Sequence, residues 1–259
     1  MIAGPFTARL GDEATAFLLA LGFLTRLPVG RAGHTPSRMA AATGYFPAAG
    51  LLVGLFAALV LLAASRVLPP VVALLLATAA TCLLTGALHE DGLADTADGI
   101  GGGRTPARAL EIMRDSRIGT YGALALGLSF ALRIAALAAM PLLTAAAALI
   151  AAHAASRATL AIVIATGRYA RPEGAGSFTA GGLSSPRLAL ALATGLLGIA
   201  AIGPAAGWLA ALGALAGLAA GLLLSRGFER RLGGYTGDTL GATQQLSETA
   251  LLLGMLACL

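Results

Sequence analysis

Apolar residues run along this chain in long blocks separated by short polar stretches, at about residues 44–67, 71–88, 121–140, 142–166, 188–202 and 208–224. Most of these approach the roughly 20 residues that a helix needs to cross a bilayer, with about 17–25 tolerated. Two shorter runs stand apart: 249–259 is a candidate seventh span, and 14–27, which ends in Thr25-Arg26-Leu27-Pro28, reads as an interfacial or re-entrant helix. The pattern predicts an all-α polytopic membrane protein with about six to seven transmembrane helices, forming one domain over 1–259.

The polar stretches sort by charge. Arg26, Arg31 and Arg38 share one, Arg104, Arg108, Arg114 and Arg117 the next, Arg168, Arg171 and Arg187 a third, and Arg226, Arg230 and Arg231 a fourth. The three intervening hairpin tips carry Arg66 alone, Pro141, and Gly203-Pro204 followed by Trp208. The excess of positive charge assigns the four Arg-bearing loops to the cytoplasm and the tips to the outside. The carboxylate-rich segments then share the cytoplasmic face, which is where the chemistry is expected.

Composition agrees. Of 259 residues, 58% are hydrophobic and only 11% charged, with a mean hydropathy of +0.85, against about 25% charged in a typical soluble domain. All 17 basic residues are Arg, which reflects composition more than guanidinium chemistry, and the net charge of +5 is spread over several loops. No basic arm with interleaved aromatics exists, so nucleic acid is not an expected partner. Cys82 and Cys258 lie far apart in apolar runs and imply no disulfide framework. Asp12 and Glu13 precede the first apolar stretch, which is not a signal-peptide layout.

Against so few charges, His89-Glu90-Asp91-Gly92-Leu93-Ala94-Asp95-Thr96-Ala97-Asp98-Gly99 is conspicuous. On a helix, Asp91, Asp95 and Asp98 fall within roughly a 60° arc of one face. Like charges so placed repel, and a divalent cation relieves the repulsion. Hard oxygen donors without thiols or a His cluster suit Mg²⁺ or Mn²⁺, which usually meets substrate phosphates. The bland reading is a solvated loop. Glu90 points about a quarter-turn away, and His89 is either a proton acceptor or a satisfied interfacial histidine. Gly101-Gly102-Gly103 should end this helix, and Thr105-Pro106 should cap the next, running from Ala107 to about Ser116.

A second constellation is Glu111-Ile112-Met113-Arg114-Asp115-Ser116-Arg117-Ile118-Gly119-Thr120-Tyr121-Gly122. Arg114 and Arg117, one helical turn apart, are candidates for a pyrophosphate clamp, or else a lipid-headgroup pair. Asp115 either completes a metal shell or pairs with Arg117, while Ser116, Gly119 and Thr120 offer donors at a helix start. A third runs from Gly233 to Glu248, where Asp238 and Gln245 share a helical face with Glu248 at its edge. Polar residues in a lipid-facing helix are expensive and usually functional. The alternative is a capped amphipathic helix. Arg133, His153 and Arg157 lie inside spans, Arg133 close enough to an end to snorkel. The Gly- and Ser-rich stretch 170–185 reads as a mobile loop.

At these residues the chain resembles the cobalamin synthase family, the adenosylcobinamide-GDP ribazoletransferases. The likeness rests on 88–99 and the Gly101-Gly102-Gly103-Arg104 after it, on 111–122, and on Thr236-Gly237-Asp238-Thr239-Leu240-Gly241-Ala242. Phe23-Leu24-Thr25-Arg26-Leu27-Pro28-Val29 and Gly44-Tyr45-Phe46-Pro47 extend it over nearly the whole chain. The resemblance implies a multi-pass enzyme of the bacterial inner membrane with a cytoplasmic active site and a Mg²⁺ requirement. Adenosylcobinamide-GDP and α-ribazole, or its 5′-phosphate, would yield adenosylcobalamin, or its phosphate, and GMP. The 3′-hydroxyl of ribazole would attack the phosphorus on the aminopropanol arm. Under this reading Asp91, Asp95 and Asp98 hold the metal, and Asp98, Asp115 or His89 takes the proton. Arg104, Arg114, Ser116, Arg117, Thr120, Asp238, Gln245 and Glu248 contact substrate, and Asp238 and Glu248 are also candidates for a second metal. A homo-oligomer is compatible with the sequence. Two rivals are a CDP-alcohol phosphotransferase, whose pattern Leu88 and Ala94-Asp95 do not meet, and a cation transporter, which would place its carboxylates near mid-span.

Overall fold

A computed structural model describes residues 5–29, 35–171, 174 and 176–259, and side chains from residue 11 onward; Arg31 lies outside the described residues. The described chain is helical, in the order α1 (Pro5–Leu24), α2 (Pro36–Ala42), α3 (Phe46–Ala64), α4 (Pro70–Thr85), α5 (Leu88–Gly102), α6 (Pro106–Ile112), α7 (Thr120–Ala138), α8 (Leu142–Thr166), α9 (Ser185–Ala200), α10 (Ile202–Ala206), α11 (Trp208–Leu232) and α12 (Gly237–Leu256). Local chemistry explains many of the starts. Proline opens α2, α4 and α6, where its missing N–H and fixed φ cost nothing. Thr35, Thr105 and Thr236 accept hydrogen bonds from the first turns of α2, α6 and α12.

Five segments are long and apolar enough to cross a membrane: 36–64, α7, α8, 185–206 and α11. The α4–α5 pair, bent by 90°, is a sixth candidate when taken together as one broken segment. Gly86 and Ala87 make the bend, both at positive φ, 69° and 56°. That conformation is routine for glycine and strained for alanine. It sets α5 at a right angle to α4. α12, 20 residues long, begins well before the expected run at 249 and carries Asp238, Gln244, Gln245 and Glu248 into the bundle. It has the length of a seventh crossing, about 30 Å at 1.5 Å per residue. The N-terminal helix α1 likewise starts earlier than the expected 14–27. Toward the surface Leu55, Leu59, Leu128, Leu197, Leu212 and Leu223 are all exposed, the pattern of a lipid-facing rim rather than of a water-soluble protein.

α8 sits at the centre, buried on nearly every side. Its approach to α3 needs glycine: a Cβ on Gly50 would stand 2.2 Å from the His153 carbonyl oxygen. The same holds between α11 and α12, where a Cβ on Gly217 would fall 2.0 Å from the Ala250 oxygen. Small residues are the usual means of tight helix contact in lipid, where apolar surface gives little drive for association.

Close packing also encloses a polar core. Arg133 does not snorkel; it is 5% exposed and points inward. Its guanidinium pairs with Glu248 and donates to Gln245 Oε1 at 2.9 Å. Gln244 Nε2 donates to Glu248 and, at 2.9 Å, to Ser156 Oγ, while Gln245 Nε2 reaches Glu90 Oε1 at 2.9 Å. Arg157 donates to the His153 carbonyl at 2.8 Å. α5, α7, α8 and α12 thus share one buried network.

Removing one member of a buried ion pair leaves the other charge uncompensated, at a cost of about 3–5 kcal/mol, while replacing both by apolar side chains is often neutral. Arg133→Leu is therefore expected to lower detergent-phase thermal stability and membrane yield sharply. The Arg133→Leu/Glu248→Leu double variant should recover much of that loss. Equal damage from single and double variants, measured by thermal denaturation of the purified protein, would contradict the pairing.

Candidate active site at the loop end of the bundle

The Arg-bearing loops converge on one end of the bundle. Arg231 Nη2 donates to the Gly103 carbonyl at 3.0 Å, and Arg226 Nη2 to Thr166 Oγ1 at 2.6 Å. Tyr169 and Tyr235 form an isolated parallel bridge. The described part of 170–185 contains a 3₁₀ turn at Ser177–Thr179. Tyr235 Oη donates to the Thr179 carbonyl at 3.0 Å.

α5 lies across this end, as a helix holding all three aspartates of the cluster. Its close fit to α12 relies on Gly92, where a Cβ would lie 2.6 Å from the Asp238 carbonyl oxygen. The one-face alignment of Asp91, Asp95 and Asp98 does not become one three-carboxylate site. Asp98 is 8% exposed and accepts from Gly119 N at 2.7 Å and Gly122 N at 2.9 Å, so both oxygens cap the start of α7. The helix start at Gly119–Thr120 is present as expected, but Asp98 occupies its backbone donors. The reason is geometric: successive turns of α5 meet different neighbours.

Asp91 and Asp95, on the same face, meet other neighbours. Burial first, then the carboxylates of Asp91 and Asp238, push Asp95 up to about 7, with Arg171 opposing them. Arg171 Nη1 lies 2.7 Å from Asp238 Oδ2 and is itself largely buried. Sequence reasoning counted Arg171 only as a loop charge. No local signal marks it, because its partner is 67 residues away. Among the described residues no three carboxylate, thiol or imidazole groups converge as a ready-made metal cage. Mg²⁺ seldom needs one: it keeps waters, one or two carboxylates and substrate phosphates. The exposed Asp91 and the half-buried Asp95, mutually repelling and short of cationic partners, fit such an ion.

Two openings flank these carboxylates. One, lined by Glu90, Asp91, Asp95 and Ser116, opens beside α7. The other is a cavity of about 160 Å³ that has His89, Asp91 and Asp238 on its wall, along with Phe23, Phe46 and Phe178. Phe23 and Phe46 belong to two of the sequence motifs, and nothing local to either motif marks this role.

The second constellation is built differently from its helical expectation. α6 stops at Ile112 rather than near Ser116, so Arg114 and Arg117 are not a turn apart on one helix. Asp115 pairs with Arg117 at 2.6 Å, and that guanidinium holds its carboxyl down at about 2. A carboxylate so stabilised is a poor proton acceptor. Arg104, Arg114, Ser116, Arg117 and Thr120 are all exposed. Asp98, Arg108, Asp115, Arg117 and Thr120 line a separate cleft. Gln245 and Glu248, expected at substrate, lie instead in the buried network, 3% and 1% exposed, with their polar atoms engaged by Arg133, Glu90 and Gln244. A charged group entering the bundle finds partners on neighbouring helices before it finds solvent.

Residues 16–256 match the family described as Cobalamin-5-phosphate synthase. Curated relatives named adenosylcobinamide-GDP ribazoletransferase include one from Bradyrhizobium diazoefficiens, 49% identical over 96% of each chain. Others come from Ralstonia nicotianae, at 43% over 96% of this chain and 98% of the relative, and Leptothrix cholodnii, at 45% over the same shares. No solved structure gives a significant match. Matched over nearly its whole length, with the aspartate-bearing helix α5 and the start of α12 facing each other at one end of a membrane bundle, the chain belongs to the cobalamin-5-phosphate synthase family.

Proposed function

We propose that the chain is an adenosylcobinamide-GDP ribazoletransferase of the bacterial inner membrane, working at its cytoplasmic face. The observation that carries this reading is Asp91 and Asp238 on the wall of one cavity, with Asp95 beside Asp91 on the neighbouring opening, in a chain whose relatives bear that name. The hydroxyl of α-ribazole, or of its 5′-phosphate, forms the new P–O bond to the phosphorus on the aminopropanol arm. The bond from that phosphorus to the GMP oxygen breaks, and GMP leaves. Asp91 and Asp95 would hold Mg²⁺, with Asp238 on the same cavity wall as Asp91, and the ion would supply neutralisation of pyrophosphate charge.

The chain's own residues divide the remaining work. His89 sits on the cavity wall next to Asp91; burial first, and then Arg157, push its imidazole well below the ordinary value. It therefore accepts the hydroxyl's hydrogen bond and orients it, and the proton passes on to water. Asp98 positions rather than reacts: by gripping Gly119 and Gly122 it fixes the segment that carries Arg117 and Ser116. Arg114 and Arg117 are exposed on the segment after α6, Arg117 on the separate cleft, and bind the departing phosphates through their guanidinium forks.

With purified protein in detergent, GMP should appear only when adenosylcobinamide-GDP, α-ribazole and Mg²⁺ are all present. EDTA should abolish release and added Mg²⁺ restore it. Asp95→Asn should insert normally into the membrane yet form no product. Full turnover without divalent metal would refute the metal assignment.

Lysine keeps charge but loses the planar fork. Arg117→Lys is thus expected to lower turnover at least about tenfold, equivalent to about 1.4 kcal/mol in the barrier, with membrane yield unchanged. Normal turnover in the Lys variant, with Arg117→Ala failing to accumulate, would make Arg117 a headgroup anchor instead.

Sidedness follows from the charge pattern. Cysteines placed at Arg104 and Arg230, in a background lacking Cys82 and Cys258, should resist an impermeant thiol reagent in intact cells, and one at Arg66 should label. The opposite pattern would invert the topology.

A further inference from the structure

The cavity of about 160 Å³ behind Asp91 and Asp238 has walls of two characters. Its interior is apolar and aromatic, with Phe23, Phe46, Phe178, Leu160 and Leu240 facing the space. The Phe23 ring lies nearly parallel to Phe46 at 5.8 Å and edge-on to Phe178 at 5.1 Å. The charged side chains on its wall are the carboxylates of Asp91 and Asp238. A ligand that fits is flat, apolar at one end and hydroxylated at the other.

Size and polarity separate the parts of the two substrates. An apolar cavity of about 150 Å³ takes up benzene, so this one, open toward its mouth, suits a single fused ring system and not a corrin macrocycle. Besides the carboxylates, the wall offers only His89 and a Thr179 hydroxyl already engaged by Gly176 and Tyr235, too few to pair the several ring-edge donors and acceptors of guanine. The weakly polar bicyclic base of an α-ribazole-type nucleoside carries no such demand. Aromatic walls also favour edge-on and offset contacts with its ring.

We propose that this cavity binds the heteroaromatic base of the acceptor nucleoside, with the ribose directed to the Asp91–Asp238 mouth. The proposal rests on the ribazoletransferase reading above. It makes Phe23, Phe46, Phe178 and Leu160 the residues that select the base.

The test is the Michaelis constant of each substrate, measured separately with the full chain in detergent. Leu160→Phe fills the cavity from α8. It should raise KM for α-ribazole at least about tenfold while KM for adenosylcobinamide-GDP stays within about twofold, since only uniform acceptor binding is lost. Phe178→Ala removes one wall and should weaken α-ribazole more than a ribonucleoside bearing a plain imidazole base. A rise confined to adenosylcobinamide-GDP, or an unchanged acceptor KM in both variants, would overturn the proposal. Should Leu160→Phe fail to accumulate, the Phe178→Ala comparison decides alone. If the wild-type protein releases no GMP at all, it is the activity reading that fails. Titration calorimetry with α-ribazole then judges the cavity independently. Heat from the wild type that Phe178→Ala weakens supports the site, and no binding by the wild type overturns it.

Discussion

Taking a guanidinium and a carboxylate out of water costs several kcal/mol per ion, and their attraction offsets this only if the pair is close and the leftover polar atoms are filled. Arg133 on α7 and Glu248 on α12 impose that constraint on the whole bundle. Neither reaches solvent, so α7 and α12 are held at one relative height. The remaining valences recruit Gln244, Gln245 and Ser156. Through Gln245 the network extends to Glu90, the residue immediately before Asp91. A pair deep in the membrane thereby sets where α5 lies, and with it the carboxylates on the exposed face.

Two further contacts hold α5, one before its first turn and one toward its last. The left-handed turn at Gly86–Ala87 tips the helix through 90°, and Arg26 N clamps the turn to the Leu84 carbonyl at 2.8 Å. Asp98 then ties the helix to the start of α7 through two backbone N–H groups. Between these fixed points Asp91 and Asp95 stand on a rigid helix rather than on a loop. Placement of this kind is what phosphoryl transfer demands, since it depends on position and electrostatics more than on covalent chemistry from the protein.

A division of labour follows along α5 and α12. On each, one stretch faces the bundle and is hydrogen-bonded there, Glu248 by Gln244 and Glu90 by Gln245, while the other faces the open end. Glu90 and Glu248 belong to the first kind, Asp91, Asp95 and Asp238 to the second. Arg171 moderates Asp238 without removing the repulsion felt by Asp95.

Hydropathy by itself determined the membrane class, the helical architecture and most of the spans, because the cost of exposing a backbone or a charge to lipid is paid segment by segment. Cap chemistry was equally local: Thr105-Pro106 opens α6 and Gly103 ends α5. Helical spacing put Asp91, Asp95 and Asp98 on one face, and that face is real. What lies opposite each residue is not a local property. Asp98 meets the backbone of α7, Asp95 feels Asp238 from α12, and Arg133 turns inward rather than to the headgroups. The Phe23, Phe46 and Phe178 box gathers three distant segments. Spacing along a helix tells the direction in which a side chain leaves the axis. Only tertiary packing, set by close glycine contacts and a buried ion pair, decides what it reaches.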